Sequence, residues 1–315
     1  MKTIFLPWIA FLAKRISILC FSLFLVVSVT FFLMHNIPGD PFTQEQVIPE
    51  EIMLAMKKFY GLTDPWYVQY GRYLKNIVTW NLGPSFKYEA RTVNQIISEG
   101  FPSSLQLGLQ AISFSLFIGI LLGSLSAIKK GLWQDRLLLI LIAIGTSIPS
   151  FILATLLQYI FAMKLAWLPV ARWGSFSQTI LPTIALSAFP TAFIAKMLRT
   201  TMSEVLQQEY VFTAKIKGLA PYKILFKHVI RNAILPIVTY LGPLTAAIIT
   251  GSFIVEKIFA IPGLGGWFVN SVINRDYTVI MGVTLFYSAL LMLSVLIVDI
   301  IYCFIDPRIE VTKVK

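Results

Sequence analysis

The sequence has little charge, two histidines and two cysteines. Charged residues make up 13% of its 315 residues and hydrophobic residues 57%, whereas about 25% of a typical soluble domain is charged. So few charges could not cover the surface of a soluble protein of this length, and so much hydrophobicity excludes a disordered chain. Cys20 and Cys303 both lie inside apolar runs. Two such cysteines do not form a disulfide framework or a metal site, and both are predicted to be free thiols.

Motifs of nucleotide and metal chemistry are also absent. The sequence contains no G-x-x-x-x-G-K-[ST] phosphate loop and no H-E-x-x-H zinc motif, so the chain is predicted to bind no ATP, cofactor or metal. His35 and His228 are predicted on opposite sides of a membrane and cannot share a site. The serines and threonines of the apolar runs have no histidine or lysine base at their depth. These absences disfavour an enzyme.

Six apolar runs are long enough to cross a membrane, because a bilayer core takes about 20 residues of helix. The predicted spans are 16–34, 105–127, 137–163, 179–195, 234–255 and 279–304. Pro149 in the third run, Pro182 and Pro190 in the fourth and Pro243 in the fifth predict bent helices. Bent helices are more typical of a bundle that surrounds a transport pathway than of a simple membrane anchor. The predicted fold class is therefore all-α, a polytopic membrane protein with one transmembrane domain over residues 1–315.

The net charge of +11 is distributed as membrane topology requires. With the N-terminus placed inside, sixteen Lys and Arg residues fall on the inner side and four in the short outer loops. The other six lie in the long loop 36–100, which the positive-inside rule discounts. Both termini are therefore predicted in the cytoplasm. This distribution also explains the basic charge without nucleic acid as a partner.

Two loops are long enough to contain structure of their own. The outer loop 36–100 should hold a helix over residues 50–58, which begin with two glutamates and end with two lysines. The run Trp66–Leu82 is rich in Trp and Tyr and is predicted to lie against the membrane surface or a partner. The inner loop 196–233 predicts a helix, a break at Gly218 and then a basic helix.

Asp299 is the one clearly ionisable residue inside a predicted span. Such residues often mark ion or proton pathways, but a carboxylate can also bond to neighbouring polar groups in the bundle. Both interpretations are open from the sequence. With no other charge predicted inside the spans, an ion-coupled transporter or a channel is disfavoured, and the energy for transport is expected to come from another protein.

Tyr210, Ala214 and Gly218 follow each other at intervals of four residues, which places them on one face of a helix. The side chains on this face become smaller from tyrosine to alanine to glycine, which would allow a partner to approach closely. The same pattern also fits a helix that packs on the chain's own bundle. Composition alone does not decide between the two.

Two stretches of the inner loop resemble a known family. Tyr210–Leu219 reads YVFTAKIKGL and Lys227–Pro236 reads KHVIRNAILP, which is similar to the cytoplasmic loop of ATP-binding-cassette importer permeases. Where the general pattern of this family has Glu-Ala, the sequence has Phe212 and Thr213. The distance from Gly218 to Pro236 is five residues longer than in that pattern. Both differences resemble the peptide and nickel branch of the family.

Further motifs of that branch occur in order along nearly the whole chain. They are Ile37–Pro41, Leu82–Ser85, Ser147–Phe151, Ile180–Pro182, Val255–Phe259, Pro262–Gly265, Arg275–Asp276 and Asp306–Arg308. Gly83–Tyr88 and Ile248–Ser252 are most similar to the B-type subunits of oligopeptide permeases.

The resemblance implies a subunit of a bacterial inner-membrane importer for peptides that works by alternating access and performs no chemistry itself. Its implied partners are a second permease subunit, two ATP-binding-cassette ATPase subunits, an extracytoplasmic peptide-binding protein and membrane lipid. The residues implied to couple to the ATPase are Tyr210, Thr213, Ala214, Lys217, Gly218 and Leu219. Nickel or glutathione import by the same branch is the nearest alternative, and an ion-coupled transporter or channel is the alternative from another class.

Overall fold

The computed structural model describes residues 2–38, 42, 49–88, 90–249 and 252–305. All regular secondary structure within these residues is helical, so the predicted all-α class is confirmed. Outside the described residues lie the Asp306–Arg308 motif, the side chain of Cys303 and parts of the Ile37–Pro41 and Ile248–Ser252 stretches.

The described part of the chain contains fourteen α-helices and two π-helical segments. The α-helices are α1 (Lys2–Asn36), α2 (Glu50–Phe59), α3 (Trp66–Val78), α4 (Val93–Ile128), α5 (Trp133–Ser147), α6 (Ser150–Leu157), α7 (Phe176–Val205), α8 (Glu209–Ile216), α9 (Pro221–Lys223), α10 (Arg231–Ala233), α11 (Leu235–Ile249), α12 (Phe253–Ile258), α13 (Leu264–Asn274) and α14 (Tyr277–Ile305). The π-helical segments are Gln158–Lys164 and Ile224–Ile230.

Four helices, α1, α4, α7 and α14, are each long and apolar enough to cross a membrane. Two more spans arise if each of two bent pairs counts as one. Trp133–Ser147 and Ser150–Lys164 meet at 105°, and Pro221–Ala233 and Leu235–Ile249 meet at 49°. The described residues therefore provide up to six spans, in the order in which the six apolar runs predict them.

The third predicted span, 137–163, is not one helix. α5 ends at Ser147, Ile148 is extended with ψ 120°, and α6 begins at Ser150 after Pro149. The residue before a proline is pushed out of the helical region by the proline ring, which explains why the chain leaves the helix at Ile148. Pro149 thus marks the bend correctly, but the helix breaks there.

The second predicted span, 105–127, is also corrected, because α4 begins twelve residues earlier, at Val93. The Thr92 hydroxyl accepts a bond from the Gln95 N–H, and the Gln95 side chain accepts one from the Thr92 N–H. This reciprocal capping box starts the helix. The outer loop predicted over 36–100 therefore ends at Thr92.

The fourth and fifth predicted spans differ from the structure at their C-terminal ends. α7 does not stop at 195 but continues to Val205, since Leu198 and Met202 on this extension are fully buried. The first ten residues of the predicted loop 196–233 are thus helical. The fifth span, predicted over 234–255, ends as α11 at Ile249, and α12 is a separate helix.

α4 and α7 pack closely at the centre of the bundle. A side chain at Gly119 would meet the Ile194 side chain at 2.9 Å, and one at Gly123 would meet the Ala195 carbonyl oxygen at 2.7 Å. Small residues at such contacts let membrane helices approach until their backbones nearly touch. The two glycines thereby fix the spacing of the central pair.

The bundle has two distinct ends, about 50 Å apart along α4. The α3 end comprises α2, α3, residues 80–92, α12 and α13. The α8 end comprises residues 129–132 and 206–233. At the α3 end, the Tyr70 hydroxyl lies 2.6 Å from the Ser28 hydroxyl of α1, so the Trp- and Tyr-rich run packs on the first helix.

α1 and α14, the first and last long helices, are joined by an ion pair. Arg15 Nη1 lies 3.0 Å from Asp299 Oδ2, and both side chains are partly exposed. The pair supports the interpretation of Asp299 as a carboxylate bonded within the bundle. An intramembrane carboxylate is tolerated where a cation accompanies it.

Three carboxylates outside the predicted spans are buried. Asp135, Glu256 and Asp276 are 2%, 1% and 0% exposed. Asp276 precedes α14 and accepts bonds from the Ser85 hydroxyl, the Phe86 N–H at 3.1 Å and the Val279 N–H at 3.3 Å. It thereby caps α14 and holds the loop before α4. All three lie within three residues of an apolar run but outside it.

Glu256 performs a similar task at the start of α13. Its carboxylate accepts bonds from the Ser104 hydroxyl at 2.8 Å and the Gly265 N–H at 3.2 Å, while Ser104 accepts one from the Leu264 N–H at 2.9 Å. Burial raises the pKa of the Glu256 carboxyl, and these hydrogen bonds act in the opposite direction. The carboxylate thus ties α4, α12 and α13 together.

This packing predicts opposite effects for two neighbouring glycines. A β-carbon at Gly263 would overlap the Glu256 carboxylate, whereas one at Gly266 meets nothing within 4 Å. Gly263→Ala should therefore lower the free energy of unfolding by about 1–3 kcal/mol. Gly266→Ala should be neutral or slightly stabilising, since alanine favours a helix. Thermal unfolding in detergent measures both, and equal midpoints for the two variants would contradict the expectation.

Candidate docking segment at the α8 end

α8 is a short helix with well-defined ends. Glu209 in its first turn and Lys215 in its last turn complement the helix dipole. Gly218 has φ +73°, its N–H bonds to the Lys215 carbonyl at 3.0 Å, and the Leu219 N–H bonds to the Ala214 carbonyl at 3.3 Å. This pair of bonds is the Schellman motif, which requires a left-handed residue and favours glycine. Gly218 therefore ends the helix, as predicted.

The inner face of α8 belongs to the core of the chain. Val211 is fully buried and Ala214 is 5% exposed, and both pack in one apolar cluster with Ile224, Val229 and Met202. The expectation that Tyr210, Ala214 and Gly218 present one common surface is therefore wrong. Ala214 faces inwards, and Gly218 lies beyond the last helical turn. The small side chain at 214 is needed for contact with the chain's own π-helical segment.

The other five residues of the predicted set, Tyr210, Thr213, Lys217, Gly218 and Leu219, are exposed. The Tyr210 hydroxyl accepts a bond from the Asn232 side-chain amide at 2.9 Å, and that amide also donates to the His228 carbonyl. The Thr213 hydroxyl donates to the Glu209 carbonyl at 2.9 Å. Tyr210 thus joins α8 to α10.

Large apolar side chains cover the outer side of this segment. We call them the α8 patch: Tyr210, Phe212, Ile216, Leu219, Tyr222 and Phe226, which are 39–72% exposed. The interpretation from sequence missed Phe212, Ile216, Tyr222 and Phe226. Phe212 and Ile216 stand four residues apart, and this spacing was visible in the sequence. Because α8 is apolar on both sides, the pattern alone did not tell the inner face from the outer one.

A buried ion pair holds α7, which leads into this segment. Arg199 donates to both carboxylate oxygens of Asp135, at 2.8 and 2.9 Å. The same carboxylate accepts bonds from the Ser126 hydroxyl at 2.5 Å and the Gly131 N–H at 2.9 Å. All four donors are thus satisfied by one side chain. The end of α7 is thereby fixed to α4, α5 and the turn between them.

The described residues contain no group of three or more His, Cys, Asp or Glu side chains that could hold a metal ion. Cys20 is an exposed free thiol. The arrangement at the α8 end offers an apolar surface with basic side chains around it and no set of catalytic groups.

Residues 119–311 match the family described as the inner membrane component of binding-protein-dependent transport systems. Residues 8–108 match the N-terminal membrane component of the same kind of system. Together the two matches extend over nearly the whole chain and include both ends of the bundle. The motifs that carry the resemblance lie within them.

Several proteins are similar over almost their full length. A dipeptide transport system permease protein, DppB, of Bacillus subtilis is 45% identical over 96% of this chain and 98% of its own. An oligopeptide transport system permease protein, OppB, of Haemophilus influenzae is 41% identical over 95% of this chain and 99% of its own. A DppB of Lactococcus lactis is 39% identical over 96% and 99%. The chain therefore belongs to the family of inner membrane components of binding-protein-dependent, ATP-binding-cassette transport systems.

Proposed function

We propose that the chain is a permease subunit of a peptide importer and forms half of its translocation path. The observation that carries the peptide substrate is the similarity to dipeptide and oligopeptide permeases over 95–96% of the chain. The aligned residues cover almost the whole chain and therefore include the surface that meets the substrate.

The α8 patch supports docking of an ATPase subunit. α8 carries large apolar side chains on its outer side as well as in the core, and such exposed side chains favour a cover in the assembled protein. Phe212 and Ile216 are 64% and 72% exposed. Large apolar patches rimmed by polar residues mark protein interfaces. In the assembled importer, one ATPase subunit would dock on this chain and another on the second permease subunit.

The α3 end supports docking of a peptide-binding protein. Phe59, Trp66, Tyr67 and Trp80 are between 51% and 83% exposed there. Aromatic residues are enriched both in protein interfaces and at the level of lipid headgroups. We place this end outside the cell and the α8 end, with both termini, in the cytoplasm.

Reconstitution tests the proposed function. The chain, a second permease subunit and two ATPase subunits in proteoliposomes should take up labelled di- to pentapeptides when ATP and the peptide-binding protein are present. Nickel chelates and glutathione serve as competing substrates. Uptake of either of these without uptake of peptides would contradict the peptide assignment and favour the nearest alternative.

The orientation gives a separate prediction. In a chain freed of its native cysteines, Glu50→Cys at the α3 end should react with an impermeant maleimide added to whole cells or spheroplasts. Lys217→Cys at the α8 end should react only after the membrane is opened. Both positions are exposed. Whether the maleimide reacts therefore depends only on the side of the membrane on which each position lies. The reverse pattern of labelling would contradict the orientation.

A further inference from the structure

A cavity of about 540 Å³ lies where both bent helix pairs meet α7. Its walls come from the break between α5 and α6, from the middle of α7 and from α11. This volume lies within the usual range of ligand sites, about 300–1,000 Å³. None of its lining residues is charged, and four of them carry a hydroxyl group: Thr146, Ser147, Ser150 and Tyr240.

Each of the three walls contributes a proline, namely Pro149, Pro190 and Pro243. A proline has no N–H, so the carbonyl four residues before it in a helix loses its usual donor. That carbonyl lies on the same side as the ring, and for Pro190 it belongs to Leu186, which also lines the cavity. For Pro243 it belongs to Thr239. Thr239 does not line the cavity, so this effect gives the wall one such acceptor, the Leu186 carbonyl.

The break at Ile148 and Pro149 adds further acceptors. The last four carbonyls of a helix have no partner within it. In α5 the Ile144 carbonyl accepts a bond from the Ile148 N–H, which leaves those of Gly145, Thr146 and Ser147 before the break that ends at Ser150. Ser147 and Pro149 are exposed. Irregular backbone at membrane depth is tolerated against protein or a water-filled cavity and not against lipid. The open side of this cavity therefore faces a protein partner or an aqueous path.

We propose that this cavity is a section of the substrate path and binds a passing peptide through its main-chain N–H groups. The inference rests on the proposed function and deepens it. Carbonyl and hydroxyl oxygens accept bonds from any peptide backbone, whatever its side chains. A wall without charged residues forms no ion pair with a lysine or glutamate side chain. The site thus admits peptides of different sequence and leaves side-chain selection to other parts of the importer.

A charged side chain placed in the cavity should make uptake depend on the charge of the peptide, a dependence that the natural wall lacks. Thr146→Arg introduces a group that stays protonated even when buried, and Thr146→Gln is its uncharged control. Uptake of two tripeptides that differ only in a central lysine or glutamate is measured in proteoliposomes. Thr146→Arg should lower the lysine-to-glutamate uptake ratio roughly tenfold relative to the natural chain. Thr146→Gln should leave the ratio unchanged.

A crosslink gives a second measurement that does not depend on the arginine variant. A photoreactive benzoylphenylalanine at Phe189, which lines the cavity, should crosslink to labelled peptide during ATP-driven uptake. The same group at Phe117 on α4, which is 69% exposed and not part of the wall, should not. Normal uptake with no crosslink at 189 and an unchanged ratio would overturn the inference alone. An assembled complex that takes up no peptide would overturn the proposed function as well.

Discussion

Replacing Ile216 with aspartate is expected to abolish peptide-stimulated ATPase activity while the chain still inserts into the membrane. Ile216 is 72% exposed, so the substitution removes no contact within the core and should leave the fold intact. In the assembled importer the same side chain would be buried against the ATPase subunit. Losing its burial costs about 1.5–3 kcal/mol, and burying an unpaired carboxylate adds to that cost. Docking should weaken roughly 100-fold or more.

Co-purification of the ATPase subunits and ATPase activity in proteoliposomes measure this effect. Val78→Asp is the matched control, because Val78 is 87% exposed but lies at the α3 end. It should leave ATPase binding unchanged. If Ile216→Asp retains both ATPase binding and stimulation, the α8 patch is not the docking surface, and the coupling role proposed for α8 is wrong.

The second large effect is expected from Arg199→Met. The substitution leaves the Asp135 carboxylate, 2% exposed, without its only cationic partner among the described residues. Breaking a buried ion pair from one side typically costs about 3–5 kcal/mol, because the remaining charge stays buried. The free energy of unfolding should fall by about that amount, and the end of α7 should loosen from α5. Coupling between α8 and the spans should weaken with it.

The double variant Asp135→Leu/Arg199→Met separates charge from packing. Removing both partners leaves no unpaired charge and should restore most of the lost stability. Thermal unfolding in detergent and protease sensitivity between α7 and α8 report on the two variants. A single variant as stable as the natural chain would show that the pair does not hold α7.

Helix starts and stops were predictable where local chemistry determines them. The acid-to-base order of residues 50–58 and the glycine at 218 mark helix ends that the structure shows at Phe59 and Ile216. The start of α4 was missed, although Thr92 and Gln95 form a capping box that the sequence displays. Apolar runs measure how much helix lies in lipid, and they do not report how far a helix continues beyond it.

Contacts between distant residues were beyond the sequence. Arg199 and Asp135 stand 64 positions apart, and nothing local marks them as partners. The inner and outer faces of α8 depend on where the π-helical segment folds back, which places Ala214 in the core. The docking role of this segment therefore stays a prediction, and the exposure of its individual side chains emerged only from the three-dimensional packing.

The ion pair between Arg15 and Asp299 has a consequence for biosynthesis. Its partners leave the ribosome 284 residues apart, so the pair cannot form until synthesis is nearly complete. At about 5–20 residues per second, the arginine waits between roughly 15 s and 1 min for its carboxylate. During that interval the first helix has to keep one flank accessible to the last. The ion pair between α1 and α14 can therefore form only after Asp299 has been translated. A chain truncated before Asp299 would leave this face of α1 exposed to quality-control proteases.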